Sequence, residues 1–116
     1  MALHALAEKR KLERLAIQAV VFDAETGKLL GTTLDMHTMG MLVMSNKPLP
    51  LEADFSVLLE FPGSNGEAKR IPLTARGVWT MQNAIPFIHN TGCCFVGQNL
   101  EQVEQLRQIL EHQPLH

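Results

Sequence analysis

Residues 15–45, LAIQAVVFDAETGKLLGTTLDMHTMGMLVMS, decide the fold class, because short apolar segments alternate in this stretch with turn-forming residues. The segments are rich in aliphatic and β-branched side chains, which favour extended strands. They span residues 15–22, 29–34 and 40–45. The first connection, 23–28, contains Gly27, which can adopt a positive φ, and residues 35–39 are predicted to form a corner before the third segment. Connections of this length predict antiparallel strands joined by hairpins.

The chain continues with strand-like segments as far as the C-terminal region. Three more strands are predicted, at residues 54–61, 69–80 and 91–97. Two prolines in 46–53 and two glycines in 62–68 separate the earlier ones, and residues 81–90 are expected to be irregular. The strand 69–80 is expected to bend at Pro72 or Gly77, since neither residue suits the middle of a regular strand.

The hydrophobic period then changes from two to about 3.6, which is typical of a helix. Apolar side chains fall on one helical face at Leu100, Val103, Leu106, Ile109 and Leu110. Asn99 followed by Gln102 is a variant of the capping box, so a C-terminal helix is predicted over residues 99–112. This order of elements predicts a small antiparallel barrel or sandwich with the helix covering one open end.

The composition fits one domain and narrows the kind of partner. A chain of 116 residues is long enough to bury a core without disulfide bonds. A net charge of −2 argues against binding to bulk nucleic acid, which needs a basic face. With one tryptophan and no tyrosine, the chain also offers few rings for stacking on single-stranded bases. We therefore expect no nucleic-acid partner.

Hydropathy and cysteine usage predict a cytoplasmic protein. The sequence contains no apolar run of about 18 residues, so no membrane insertion is expected. Residues 1–14, MALHALAEKRKLER, become charged too early for a secretory leader. Cys93 and Cys94 are adjacent, and on a strand they would point to opposite faces, one to the core and one to the surface. A disulfide bond between them is not expected, which indicates a reducing compartment.

Two short motifs carry the candidate binding chemistry. Arg10 and Arg14 stand just ahead of the first predicted strand and offer a fork of planar donors that suits phosphate oxygens or the edge of a guanine. Asp35 and Gly40 mark the corner between the second and third strands, where a carboxylate can accept from the N1 and N2 donors of a guanine. Each motif alone is weak, and their order in the chain makes the pair more specific.

With these motifs in this order, the chain resembles the PilZ domain, the bacterial receptor for cyclic di-GMP. The family's RxxxR corresponds to Arg10 and Arg14, and its [D/N]xSxxG corresponds to residues 35–40. The later ARGVWT (75–80) and TGCCFVG (91–97) look like the closing strands of that family. The resemblance covers nearly the whole chain and implies a mainly β fold, a six-stranded antiparallel PilZ-type β-barrel with a C-terminal α-helix.

The resemblance also implies how the single domain, residues 1–116, is organised. Residues 1–14 would form a flexible or helical N-terminal arm that carries RxxxR and folds over the ligand. Residues 15–97 would form the barrel, and residues 99–112 the helix. An arm that becomes ordered on binding presents a new surface that a partner can read.

The candidate ligand-binding residues that the resemblance implies are Lys9, Arg10, Arg14, Asp35, His37 and Gly40. The two arginines would hold phosphate and guanine, the aspartate would read a base, and the glycine would let the backbone pass close beneath the ligand. The lysine would add charge. His37 stands where the family has serine, and a histidine there either hydrogen-bonds a phosphate or base edge or crowds the pocket.

The function expected from the resemblance is that of a cyclic di-GMP receptor that signals to an effector protein, or through self-association, to control motility, adhesion or exopolysaccharide production. The alternative is a degenerate PilZ-like interaction module that does not bind nucleotide. A third interpretation is an unrelated barrel that binds another anion or an oligosaccharide. No catalytic or metal-binding constellation stands at recognisable spacing, so we expect no enzyme activity, no metal and no cofactor besides the ligand.

The same residues also have purely structural interpretations. Arg10 and Arg14 can lie on a solvated helix face. Asp35 can serve only as a turn former, and His37 can be a partly exposed turn residue. Trp79 is expected in the core, with stacking on a base as the alternative.

Overall fold

The fold is a closed barrel of six antiparallel strands followed by a helix. The computed structural model describes residues 17–63 and 66–112, so the predicted arm, 1–14, lies outside the described residues. The elements are β1 (Val20–Asp23), β2 (Leu29–His37), β3 (Gly40–Ser45), β4 (Asp54–Phe61), β5 (Lys69–Gln82), β6 (His89–Val96) and α1 (Leu100–Glu111). Around the barrel the strands follow the order β1-β2-β3-β6-β5-β4, and β4 pairs with β1. The predicted six-stranded barrel with a terminal helix is confirmed.

Alternation along the strands fills the barrel with apolar side chains. In β4, Val57, Leu59 and Phe61 are buried, while the residues between them are partly exposed, as the two-residue period of a strand requires. From α1, Leu106 and Ile109 join the same core. Because side chains fill the interior, recognition by the described residues has to use the outer face and the loops.

The helix α1 has the predicted cap. The side chain of Asn99 accepts from the backbone N–H of Gln102 at 2.8 Å, and the side chain of Gln102 accepts from the backbone N–H of Asn99 at 3.1 Å. Gln102 also donates through Nε2 to the carbonyl of Pro72 at 2.8 Å, which ties the first turn of α1 to β5. Across the part of the chain that the structure describes, no helix is long and apolar enough to cross a membrane.

The first strand begins later than predicted. Pairing with β2 starts at Val20, so the strand prediction is wrong for residues 17–19. There the backbone N–H of Thr33 donates to the carbonyl of Ala19 at 2.9 Å, and the Thr33 hydroxyl accepts from the backbone N–H of Ala19 at 2.7 Å and donates to the carbonyl of Ile17. These bonds satisfy a hydroxyl that is fully buried.

The second strand is longer than predicted, and the corner after it is shorter. The prediction ended this strand at Leu34 and assigned residues 35–39 to a corner. Instead β2 extends to His37, which pairs with Gly40 at the start of β3. Only the two residues between this pair form the turn, and Asp35 therefore lies within a strand.

The fifth strand contains a bulge beside Gly77. Its register against β6 shifts between Gly77 and Trp79, which leaves Val78 as the extra residue. A Cβ on Gly77 would lie 2.2 Å from the carbonyl oxygen of Pro50, so this close approach requires glycine. The bend predicted at Gly77 is confirmed, whereas Pro72 remains in a regular pairing with β4.

The irregular connection is shorter than the predicted 81–90, because residues 81–82 and 89–90 belong to strands. β5 continues to Gln82 and β6 begins at His89, so only residues 83–88 connect them. The backbone N–H of Asn83 donates to the carbonyl of Ile88 at 2.8 Å and closes this connection. The longer ladder extends the outer face that β5 and β6 share.

Candidate functional site

A β-bulge in β2 turns two motif residues to the outer face. Thr33 and Met36 are both fully buried, although residues an odd number apart lie on opposite faces of a regular strand. The register against β3 shifts between Thr33 and Asp35, so Leu34 is the extra residue. Beyond the bulge Met36 points inward, and Asp35 and His37 point outward, where both are partly exposed.

The turn between β2 and β3 is fixed by hydrogen bonds. The backbone N–H of Met39 donates to Nδ1 of His37 at 3.0 Å, so the histidine takes the part that Asn or Ser side chains take in tight turns. The carbonyl of Thr38 accepts from the side chain of Gln98 at 3.1 Å. The carbonyl of Met39 accepts from the backbone N–H of Phe95 at 2.8 Å. Both carbonyls of the turn therefore accept hydrogen bonds from β6 or from the segment that follows it.

Gly40 is buried and adjoins both neighbouring strands. It pairs with His37 in β2 and with Cys94 in β6. A Cβ at this position would lie 2.5 Å from the carbonyl oxygen of Cys93, so the close approach of β3 to β6 requires glycine.

One row of paired residues leads from Asp35 across the outer face. Asp35 pairs with Leu42 in β3, and Leu42 pairs with Gly92 in β6. Gly92 pairs in turn with Trp79 in β5. Directly paired residues of antiparallel strands point to the same face of the sheet. The row, which we call the Asp35–Trp79 row, spans three inter-strand steps, or about 14 Å.

Trp79 lies on the outside of the barrel, so the prediction that it belongs to the core is wrong. Its exposed fraction is 38%. Ala75 and Gly77 point inward, and Trp79 would follow them in a regular strand, but the bulge at Val78 reverses the alternation. The indole lies over Gly92, where a Cβ would be 2.3 Å from Nε1. It is therefore partly exposed on the same face as Asp35.

A neighbouring row adds a cation to this face. It runs across β2, β3, β6, β5 and β4 through His37, Gly40, Cys94, Arg76 and Asp54. Arg76 donates from Nε to Oδ1 of Asp54 at 2.6 Å. This hydrogen bond and the charge of the carboxylate raise the pKa of Arg76, so its guanidinium stays charged. The two rows place a carboxylate, an imidazole, an indole and a guanidinium on one surface.

The two cysteines lie on opposite faces, as predicted. Cys93 is buried, and its burial, together with the adjacent Cys94, raises its pKa to about 12. Its thiolate is therefore too rare at neutral pH for nucleophilic chemistry. Among residues 17–63 and 66–112, no three His, Cys, Asp or Glu side chains form a group that could hold a metal ion.

The hairpin of β2 and β3 brings three of the predicted ligand-binding residues together. Asp35, His37 and Gly40 occupy its last pair and the strand before it. The other three candidates, Lys9, Arg10 and Arg14, lie outside the described residues. Sequence reasoning did not include Arg76 in the site, and it gave stacking of Trp79 on a base only as the alternative to a core position. The available signals were Gly77 before the tryptophan and Gly92 in the partner strand, both in otherwise regular strand patterns.

Comparison with known proteins agrees with this architecture. The model of the PilZ domain family matches residues 8–112, a range that includes both motifs. The fold is similar to that of a crystal structure of the PilZ domain of CeSA from a cellulose-synthesizing bacterium. The TM-score is 0.57 and the sequence identity 21%, with 86% of this chain and 99% of that chain covered. A search of curated proteins found no match.

Proposed function

The chain belongs to the PilZ domain family, and from this premise we propose that it binds cyclic di-GMP on the outer face formed by β2, β3, β6 and β5. PilZ domains are ligand-binding and adaptor modules of the cyclic di-GMP receptor family rather than enzymes. The observation that carries the proposal is the Asp35–Trp79 row, because it joins a carboxylate and an indole on one accessible surface.

Each end of the row suits one part of a guanine. The carboxylate of Asp35 accepts hydrogen bonds from the N1 and N2 donors of the Watson–Crick edge. The indole of Trp79 offers a face for base stacking, which contributes about 1–3 kcal/mol per base. Between them stand Leu42 and Gly92, and the indole of Trp79 lies over the glycine.

The phosphates of the ligand need cations. In this proposal Arg10 and Arg14 make charge-assisted and bidentate hydrogen bonds to phosphate, and Lys9 adds charge. Arg76 lies on the neighbouring row, where its ion pair with Asp54 largely balances its charge. His37 contributes a hydrogen bond from the turn, and Gly40 allows β3 to approach β6 closely beside it.

The signal would come from the arm. Docking of residues 1–14 onto the bound dinucleotide costs conformational entropy, which the charged contacts offset. The docked arm and ligand together form a surface that the unliganded protein does not have, and an effector protein for motility, adhesion or exopolysaccharide production reads it.

A calorimetric titration with cyclic di-GMP tests the proposal. We expect saturable binding by the wild-type protein, and we expect Arg14→Ala and Asp35→Asn to weaken it by about 2 kcal/mol each, or roughly thirtyfold, because each loses a hydrogen bond to a charged group. The matched control is Arg70→Ala, which removes an exposed arginine that pairs with Glu60 on the β4–β5 side of the barrel. Wild-type affinity in Asp35→Asn would remove the β2–β3 hairpin from the site.

A second candidate function is favoured by His37 in place of the family's serine. In that case the domain is an interaction module that no longer binds nucleotide. The titration would then show no heat. Added cyclic di-GMP would also leave the thermal midpoint unchanged, since only a ligand that binds the native state raises it.

A further inference from the structure

We propose that the end of β5, residues 78–82, pairs with the same segment of a second copy of this chain, so that one antiparallel sheet continues from barrel to barrel. We call this segment the β5 edge. The proposal goes beyond the proposed function and does not depend on ligand binding, because it rests on backbone groups at the end of β5 and not on the motif residues.

The β5 edge extends beyond the strand that flanks the rest of β5. Pairing with β4 ends at Arg76, whereas pairing with β6 continues to Gln82. Leu51 bridges Gly77, and the backbone N–H of Glu52 donates to the carbonyl of Gly77 at 2.9 Å. Past this bridge, no strand in the described part of the chain pairs with the β5 edge on the side away from β6. All residues of the edge are exposed.

The hydrogen bonds of the β5–β6 hairpin show which backbone groups are directed to the open side. The backbone N–H of Asn83 donates to the carbonyl of Ile88 at 2.8 Å, so these two residues form a hydrogen-bonded pair. Counting back along β5, every second residue bonds to β6, and the residues between them direct their N–H and C=O to the other side. On the β5 edge these residues are Thr80 and Gln82, which therefore offer backbone donors and acceptors to another strand.

The spacing of these groups determines the register of the contact. When Thr80 of each copy pairs with Gln82 of the other, all of the outward backbone groups of both residues form hydrogen bonds. Met81 then faces Met81 of the second copy across the two-fold axis, on the same side of the sheet. Each of these side chains is 61% exposed in the monomer, and together they cover each other. The contact is isologous, since both copies use the same residues.

The charge distribution favours an identical partner. The segment from Gly77 to Leu100 contains no Asp, Glu, Lys or Arg, although 19% of the chain is charged. An isologous contact brings each charge near its own copy, so an uncharged hairpin lets two copies approach without repulsion. Open edges are commonly protected by Lys or Pro, and the β5 edge has neither. Its bulge lies at Val78, and the pairing from Trp79 to Gln82 is regular.

The first test measures mass by analytical ultracentrifugation from about 5 to about 500 µM protein. We expect the wild type to rise from monomer towards dimer over this range. Thr80→Pro should weaken association about tenfold or more, since proline has no N–H to donate. Met81→Lys should also weaken it, because like charges would face each other across the axis. Leu29→Lys is the matched control: it adds the same charge at a 64% exposed position of β2 and should associate as the wild type does.

Thr80→Pro should leave the barrel folded, because the N–H of Thr80 takes no part in the ladder with β6. Circular dichroism and the thermal midpoint of the dilute protein check this. If Thr80→Pro does not fold, Met81→Lys alone decides. A wild type that stays monomeric over the whole range overturns the proposal and leaves the edge to a strand of a different protein. Association that persists unchanged in Met81→Lys also overturns it.

The second test examines the register by oxidative cross-linking. In the proposed contact the two Met81 Cα atoms lie about 4.5 Å apart, so Met81→Cys should form a disulfide-linked dimer when an oxidant is added. Val78→Cys is the matched control, because the two positions would lie about 20 Å apart along the paired strands. The wild type reports the background from Cys94, which is partly exposed. Cross-linking of Val78→Cys as fast as Met81→Cys would contradict the proposed register.

Discussion

At the residue scale, Gly92 and Trp79 show how the absence of one side chain positions another. The indole occupies the space that a side chain at position 92 would need, since a Cβ there would lie 2.3 Å from Nε1 and 2.4 Å from a ring carbon. The glycine thus sets where the ring lies on the outer face. With an exposed fraction of 38%, the tryptophan contributes less to the core than a buried one.

We predict that Gly92→Ala weakens binding of cyclic di-GMP about tenfold, because the displaced indole loses its stacking position. Calorimetric titration measures the effect. A double-mutant cycle supplies the control: adding Gly92→Ala to Trp79→Ala should cost nothing further, since the ring through which the glycine acts is already gone. Additive losses would mean that the glycine acts on the barrel rather than on the ring.

At the scale of elements, two bulges create the candidate site. One extra residue in β2 brings Asp35 outward, and one extra residue in β5 brings Trp79 outward. Both residues belong to the Asp35–Trp79 row. Without the bulges, the alternation of inward-facing and outward-facing side chains along each strand would turn both residues inward. Bulges are common where a strand must redirect a side chain, and here they act on strands that are not adjacent in the barrel.

The sequence predicted most elements because their signals are local. Alternation, the Gly27 turn and the Asn99 cap each act over a few residues, and the strands and α1 agree with them to within a few positions. The corner at 35–39 and the buried position of Trp79 were predicted wrongly for one shared reason. A bulge depends on pairing with a strand that is distant in the sequence. The two-residue alternation along one strand therefore does not show where inward-facing and outward-facing positions exchange.

The hairpin between β5 and β6 carries local strain. Phe87 has a φ of 68° and is 81% exposed, so a bulky side chain adopts a left-handed conformation without burial to offset it. Pro86 precedes it, and the backbone N–H of Ile88 donates to the carbonyl of Ile85 at 3.3 Å, the arrangement of a turn in which glycine is preferred at the position of Phe87.

We predict that Phe87→Gly raises the free energy of unfolding by about 0.5–1 kcal/mol, because glycine removes the strain and little buried surface is lost. Urea denaturation measures the change. Ile85→Gly is the matched control, because Ile85 is 62% exposed in the same hairpin and has no positive φ. Glycine at this position should lower the free energy of unfolding. Equal destabilisation by both variants would show that the Phe87 side chain stabilises the hairpin.

At the scale of the whole molecule, closure of the barrel decides where a ligand can bind. The six described strands form a continuous ring, and strand edges stay open only where β5 extends beyond β4 and β2 extends beyond β1. Apolar side chains fill its interior. A ligand can therefore bind on the outer face. Two neighbouring rows there carry the carboxylate, indole, imidazole and guanidinium described above.

The most direct test of the central claim uses the fluorescence of Trp79, the single tryptophan of the chain. If cyclic di-GMP binds across the Asp35–Trp79 row, titration should change the emission in a saturable way, with a midpoint equal to the calorimetric dissociation constant. The midpoint should move to higher ligand concentration in Asp35→Asn. Calorimetric saturation with unchanged emission would contradict the account, because the ligand would then bind away from the indole.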